Sequence, residues 1–278
     1  FFYGVGFHVS LLLFPVAILG AIIFGTTLGL FITPIGMLYK DIAKIIIVGA
    51  NGSIGQASAK ILASQNREIE ILSRNKEELE VNASELKCGY QVIDITNYEH
   101  VDKYLDQIDF NIDGIIFATG SIILKPFEKT SVDDFESTYK QNFLNPIYFT
   151  QKAIPKMSDL SSVVYFSTVA AKSGFKLHTA IASAKSALNG AMISLSAEYA
   201  PKIRFNCISP SLTNSKMSSF LTDSKPMSEG IAKLHPMGRL GEGSDSGSLA
   251  AYLMSPEASW ITGQNFSVDG GRSNINTK

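Results

Sequence analysis

From Ala43 onward the chain alternates short β-branched runs with amphipathic stretches, and few folds accommodate that rhythm. The candidate strands are KIIIVG (44–49), EIEILS (68–73), YQVIDI (90–95), DGIIFA (113–118), SVVYFS (162–167), IRFNCI (203–208) and QNFSVD (264–269). Helical patterns lie between them near 53–65, 75–86, 97–107, 131–157, 180–200 and 245–254. Strands that alternate with helices imply right-handed crossovers and a parallel sheet covered on both faces. The expectation is an α/β protein, a Rossmann-type doubly wound parallel sheet of about seven strands. No repeat, low-complexity tract or linker divides residues 41–274, so they read as one domain, with 275–278 as a tail.

Composition narrows the function. A formal net charge of −1 argues against the basic stripe of a nucleic-acid binder. Cys88 and Cys207 form no CxxC and no Cys/His cluster, so neither a disulfide framework nor a metal site is expected. Residues 1–39 carry no Asp, Glu, Lys or Arg, and the run exceeds the ~20 residues that span a bilayer. Pro15, Pro34 and several glycines would kink or split such a span. Residues 1–40 are therefore read as an apolar membrane segment. Lys40 and Lys44 behind it place the body in the cytoplasm, tethered to the inner face. The other reading of this piece is a fragment of a neighbouring reading frame.

The first strand runs into Gly49-Ala-Asn51-Gly52-Ser53-Ile54-Gly55, and a helix follows. Glycines at such a turn let backbone approach a pyrophosphate, and the helix N-terminus offers free N–H groups to the anion. The second strand ends in Ser73-Arg74, with no acidic residue to take the adenosine ribose hydroxyls. An arginine there accommodates a 2′-phosphate, so NADP (NADPH) is favoured over NAD.

These residues, with those that follow, resemble the short-chain dehydrogenase/reductase family over about Ile42 to Ser273. The family's TGxxxGxG loop is matched by Val48 to Gly55, with Ser53 at the middle glycine. Asp94 and Ile95 match the acid after the third strand that touches adenine. Phe117-Ala118-Thr119-Gly120 stands for the family's NNAG, and Asn142 for its helix asparagine near the active-site lysine. Asn206 to Ser215 is similar to the N-x-x-x-PG-x-x-x-T stretch that walls the nicotinamide, with Pro210 kept, Ser211 for Gly and Ser215 for Thr. His235-Pro-Met-Gly-Arg-Leu and Trp260 to Gly271 look like the closing segments, which build the last strand and often a subunit interface. The resemblance implies a homodimer or homotetramer.

The family's catalytic signature is Ser, Tyr thirteen residues on, and Lys four beyond that. Counting back from Lys185 puts Ile181 at the tyrosine position and Thr168 at the serine position. Ile181 has no proton to donate. A literal Y-x-x-x-K exists at Tyr148 and Lys152, but Phe135 lies thirteen before it, so these are more simply neighbours on one helix face. Ser183 reads as a helix-packing hydroxyl. His178, three residues before Ile181, is the candidate substitute donor, since a histidine carries a proton near neutral pH. Thr168 and Ser167 could orient a carbonyl.

The expected catalytic set is therefore Asn142, Thr168, His178 and Lys185. The expected cofactor set is the 49–55 turn, Ser73, Arg74, Asp94, Ile95, Ala118, Gly120, Lys185, Pro210, Ser211 and Ser215. The first reading is an NADP-dependent oxidoreductase acting on a small carbonyl or alcohol with a non-standard donor. The alternatives are a catalytically inactive nucleotide-binding protein, a sensor or partner subunit, and a membrane function to which this body is accessory. The segment from Met217 to Leu234 is expected to form a flap suited to a modest apolar molecule.

Overall fold

The computed structural model describes residues 43–276. The apolar run at 1–40 lies outside them; among the described residues no helix is long and apolar enough to cross a membrane. Seven strands are present: β1 Ala43–Val48, β2 Ile69–Ser73, β3 Gly89–Val92, β4 Asn111–Phe117, β5 Met157–Phe166, β6 Ile203–Pro210 and β7 Asn265–Val268. They form one sheet in the order β3-β2-β1-β4-β5-β6-β7, and every neighbouring pair is parallel. The chain winds outward from β1 to β3, then returns to the other side at β4. That reversal opens a crevice at the carboxyl ends of β1 and β4, where open α/β sheets bind ligands.

The central strands are apolar on both sides because both faces are covered. Ile45, Ile46 and Ile47 are all buried, and their side chains alternate between two cores. Ile46 and Val48 join Phe117, Tyr165 and Phe205 in one core, closed by Val101, Phe149, Leu188 and Met192. Ile45 and Ile47 join Ile116 and Val164 in the other, closed by Ala59, Leu62, Leu79, Ala250 and Leu253. The helices on the second face are α1 Ser53–Ser64, α2 Lys76–Leu86 and the late helix Gly243–Leu253; those on the first include α3 Tyr98–Gln107.

Two elements depart from the sequence pattern. The helix expected over 131–157 is α4 Val132–Tyr139, a π-helical turn at Lys140–Leu144, and α5 Asn145–Ala153. Asn142 Nδ2 donates to Thr138 O at 3.0 Å, the carbonyl four residues back, and to Ser121 O at 3.1 Å. The amide thus opens the ladder in order to reach another loop, a common cause of π-turns at functional positions. The second departure is β5, which begins at Met157, before the β-branched run. Met157 pairs with Ile112 of β4, and the register then shifts before Gly114 pairs with Ser162.

The remaining helices are α6 Thr179–Tyr199, the flap helices α7 Ser219–Thr222 and α8 Lys225–Ala232, and α9 Gly243–Leu253.

Candidate active site

The glycine turn has a steric reason for its composition. Gly49 adopts φ +89°, and a Cβ there would stand 2.8 Å from the Ala118 carbonyl carbon and oxygen. Gly55 faces the Gly49 carbonyl so closely that a Cβ would overlap its oxygen. The turn, the start of α1 and the end of β4 are therefore packed backbone to backbone. Gly52 caps α1 without a side-chain bond, and the first turn of the helix holds no acidic residue. The positive end of α1 is left for an external anion. Ser53 opens the helix, and Ile54 lines a second cavity beyond it. Asn51 braces the turn: its amide donates to Asn75 O at 3.1 Å and accepts from Asn82 Nδ2 at 3.1 Å. It ties the turn to α2 through its side chain.

Gly49 and Gly52 form one wall of a cavity of about 220 Å³, which also contains Ser73, Arg74, Asp94 and Ile95. Ala118, Thr119, Gly120 and Asn145 complete it, with Met217 above. Burial alone would raise the Asp94 carboxyl; the bonds from Thr96 and the charges of Arg74 and His100 outweigh it and hold the group below its usual range. Arg74 therefore sits where its charge acts on the same cavity. The Thr119 hydroxyl and both polar atoms of the Asn145 amide are buried and find no partner within the protein. Buried polar atoms are costly unless bonded, so these mark where polar groups of a ligand fit. Together with the backbone cradle at Gly49 and the uncapped helix end, they suit a dinucleotide.

The second cavity, of about 550 Å³, shares Met217 with the first. Ser167 and Thr168 reach it from the end of β5, Phe175 and His178 from the loop before α6, and Pro210, Ser211 and Ser215 from the end of β6. Thr168 Oγ1 accepts from Ala170 N at 3.2 Å, so its own hydrogen stays available; the Ser167 hydroxyl is buried without a partner. His178 is half-buried at the N-cap of α6. Its Nδ1 meets Lys176 O at 2.6 Å, and its ring stands edge-on to Phe175 with centroids 5.5 Å apart. A carbonyl at Nδ1 demands an N–H there, which leaves Nε2 as the working nitrogen. Ser211 Oγ lies 2.8 Å from His235 Nε2, while Ser215 Oγ accepts from Ser218 N at 3.2 Å and so caps the flap's first turn. Lys216 of the flap pairs with Glu78 of α2.

Lys185 and Asn142 meet beside Gly120. A Cβ on that glycine would lie 3.0 Å from Asn142 Oδ1 and 3.8 Å from Lys185 Nζ. Asn142 Oδ1 also accepts from Ser121 N at 3.3 Å, so the amide clamps this loop from both ends. Lys185 Nζ donates to Phe166 O at 2.7 Å, and burial lowers its pKa to about 8. One turn earlier, Ile181 is buried in the same helix. Ser183 Oγ donates to Ala180 O at 2.9 Å, a local helix bond. Tyr148 and Lys152 both engage Asp102 of α3, and Tyr148 stacks on Tyr98, so that pair serves helix packing.

Sequence reasoning missed Thr119, Asn145, Phe175 and Arg272. The last follows the closing Asp269-Gly-Gly run and carries no local signal; it comes to the cavity from the far end of the chain.

Strand order, switch-point crevice and glycine turn define a Rossmann-type α/β fold. A family model described as enoyl-(acyl carrier protein) reductase matches residues 49–273. A tropinone reductase homologue of Arabidopsis thaliana is 29% identical over 238 residues, covering 81% of this chain and 90% of the relative. Among solved structures, a short-chain dehydrogenase/reductase from Brucella melitensis described as a glucose/ribitol dehydrogenase superposes with a TM-score of 0.78 at 28% identity, covering 84% of this chain and 97% of the other. The aldohexose dehydrogenase of Thermoplasma acidophilum gives 0.76 at 27% identity, covering 85% and 97%. The chain belongs to the short-chain dehydrogenase/reductase family of oxidoreductases.

Proposed function

We propose that this protein is an NADP-dependent oxidoreductase that interconverts a small carbonyl and its alcohol, with His178 as proton donor where the family places a tyrosine. The observation that carries this reading is that His178 lines the larger cavity beside Thr168. In support, Lys185 and Asn142 stand beside Gly120, Ile181 is buried four residues before Lys185 where the resemblance puts a tyrosine, and Nδ1 of His178 is fixed by Lys176 O.

The 49–55 turn and the start of α1 would hold the pyrophosphate, Asp94 and Ile95 the adenine, and Arg74 with Ser73 the 2′-phosphate. Ala118, Gly120, Pro210, Ser211 and Ser215 would flank the nicotinamide half, and Lys185 would bind its ribose. A bound nicotinamide supplies or accepts the hydride. The chain's own work is to place the substrate oxygen and move one proton. Thr168 donates a hydrogen bond to that oxygen. His178, as imidazolium, gives it the Nε2 proton in the reducing direction and keeps the Nδ1 proton on Lys176 O. The reverse direction returns the proton to Nε2. We extend the proposal to assembly as a dimer or tetramer, which sedimentation of the purified chain would read.

The first test is a titration of the purified protein with NADPH and with NADH, following nucleotide binding directly. NADPH should bind, and Arg74→Ala should weaken it about tenfold or more while leaving NADH little changed, the loss expected of a charge-assisted contact. For any carbonyl that is turned over, His178→Ala should lower kcat by ~10²–10⁴ without changing NADPH affinity. Binding of neither nucleotide overturns the oxidoreductase reading. NADPH binding with turnover indifferent to His178 overturns only its role as donor.

A further inference from the structure

The second cavity has a charge pattern that its proposed chemistry does not require. Its lining includes Lys176, His178 and Arg272, and no Asp or Glu. Arg272 places its guanidinium carbon 4.6 Å from the centre of the Phe175 ring, and Nη1 lies 3.5 Å from Ser211 Oγ. Among the described residues no carboxylate pairs with it at ion-pair distance. Asp269, three residues before it, is turned elsewhere: one oxygen accepts from Gly271 N at 2.9 Å, the other from Ser273 N at 2.9 Å and from the Ser273 hydroxyl. The Asp269 charge favours the guanidinium from a distance, but burial outweighs it. A half-buried guanidinium without a directly paired carboxylate is expensive, and its planar fork matches a carboxylate bidentately.

The surroundings hold this arginine ready. The Arg272 guanidinium and the His178 ring both pack against Phe175. Buried His235 meets Ile231 O through Nδ1 at 3.0 Å and Ser211 Oγ through Nε2 at 2.8 Å. With its Nδ1–H spent on Ile231, His235 accepts the Ser211 hydrogen, and the serine oxygen is left to accept from Arg272. Apart from the hydroxyls of Ser167, Thr168, Thr213, Ser215 and Ser218, the side chains of the remaining lining are apolar, including Ile122, Leu124, Phe220 and Leu221.

We infer that the substrate is a carboxylate-bearing carbonyl or alcohol with an apolar body, and that Arg272, packed on Phe175, anchors its carboxylate. This rests on the oxidoreductase reading for the reacting end of the molecule. A carboxylate presents two oxygens to one guanidinium, the bidentate match that its planar fork allows. The same lining repels a ketone that carries an ammonium group, which makes it a device for exclusion as well as attraction.

The test is calorimetric titration of the full chain, with and without saturating NADP⁺, using 3-phenylpropionate, its neutral amide and 3-phenylpropylamine as matched probes. The acid should bind at least tenfold more tightly than the amide, and the amine most weakly. Arg272→Gln should abolish the preference for the acid, Arg272→Lys should restore part of it, and both variants should bind NADPH as the parent does. Equal binding of acid and amide, no binding of any probe, or a preference that survives Arg272→Gln overturns the inference. Phenyl phosphate binding more tightly than the acid also overturns it, in favour of a phosphorylated substrate. A chain that binds no nucleotide yet prefers the acid overturns the cofactor reading and leaves the anchor standing.

Discussion

Lys185 is a buried lysine without a counter-ion, and removing its charge should separate stability from function. Its pKa falls from the ordinary 10.5 to about 8 through burial, which outweighs the opposing influence of the neighbouring Cys207, whose own thiol burial pushes up to about 12. At about 1.4 kcal/mol per pH unit, that fall corresponds to roughly 3 kcal/mol of destabilisation by the charged lysine. Below pH 8 both the folded and the unfolded chain hold the proton, so the folded state bears the full cost. Between pH 8 and 10.5 the unfolded chain binds the proton more strongly, and stability rises with pH. Lys185→Met keeps the apolar stem and removes this dependence. It also strips Phe166 O of its donor, a loss of ~1–3 kcal/mol that does not vary with pH. The difference in unfolding free energy between variant and parent should therefore favour the variant most at pH 7 and move against it by roughly 2–3 kcal/mol by pH 10. Urea unfolding of both proteins at pH 7, 8, 9 and 10, followed by far-UV circular dichroism, measures this, with NADPH titrations alongside. NADPH affinity should fall even where stability improves. Parallel pH curves for the two proteins would refute the reasoning, because they would mean that the lysine folds with its charge compensated.

Gly55→Ala forces a Cβ onto the Gly49 carbonyl, so the turn must shift; a loss of ~1–3 kcal/mol in urea unfolding and a loss of nucleotide binding are expected. Asn142→Ala leaves Ser121 N, Ser121 O and Thr138 O without the amide, and the melting transition should drop by an amount equivalent to ~1–3 kcal/mol, with weaker nucleotide binding as the 120–121 loop loosens. An unchanged transition would show that the π-turn holds without its amide. Asp245 is held at about 2, chiefly by the Arg239 guanidinium. Its stabilisation is complete above the usual carboxylate range and is lost as pH falls towards 2. Asp245→Asn should therefore flatten acid unfolding between about pH 4 and 2.

The parts of the fold legible in the sequence are those whose determinants lie close together. β1 could be read because Ile45, Ile46 and Ile47 are buried on both faces, and the glycine turn because its steric demands fall within seven residues. The spacing that sets Ile181 four before Lys185 is equally local. The break at Lys140–Leu144 was not legible, because Asn142 is drawn out of the ladder by Ser121, 21 residues away. Met157–Leu160 lacks β-branched residues and becomes strand only by pairing with β4. The bracing of Asn51 was not legible either, because its partners Asn75 and Asn82 lie 24 and 31 residues away. Arg272 is a surface arginine in any local reading; only the return of the chain past β7 brings it to Phe175, 97 residues earlier in sequence.

The pairing of Lys216 with Glu78 joins the flap to the helix behind Arg74, and the two side chains are 80% and 40% exposed. Such a tie contributes little to equilibrium stability and is screened by salt, with a Debye length near ~8 Å at physiological ionic strength. Its influence falls on timing. Met217, the next residue, lines both cavities, so the tie sits beside the wall that they share. Ionic strength should therefore act on exchange: NADPH dissociation followed by stopped flow should quicken with added salt, and Lys216→Ala should remove that dependence, while the unfolding transition stays in place.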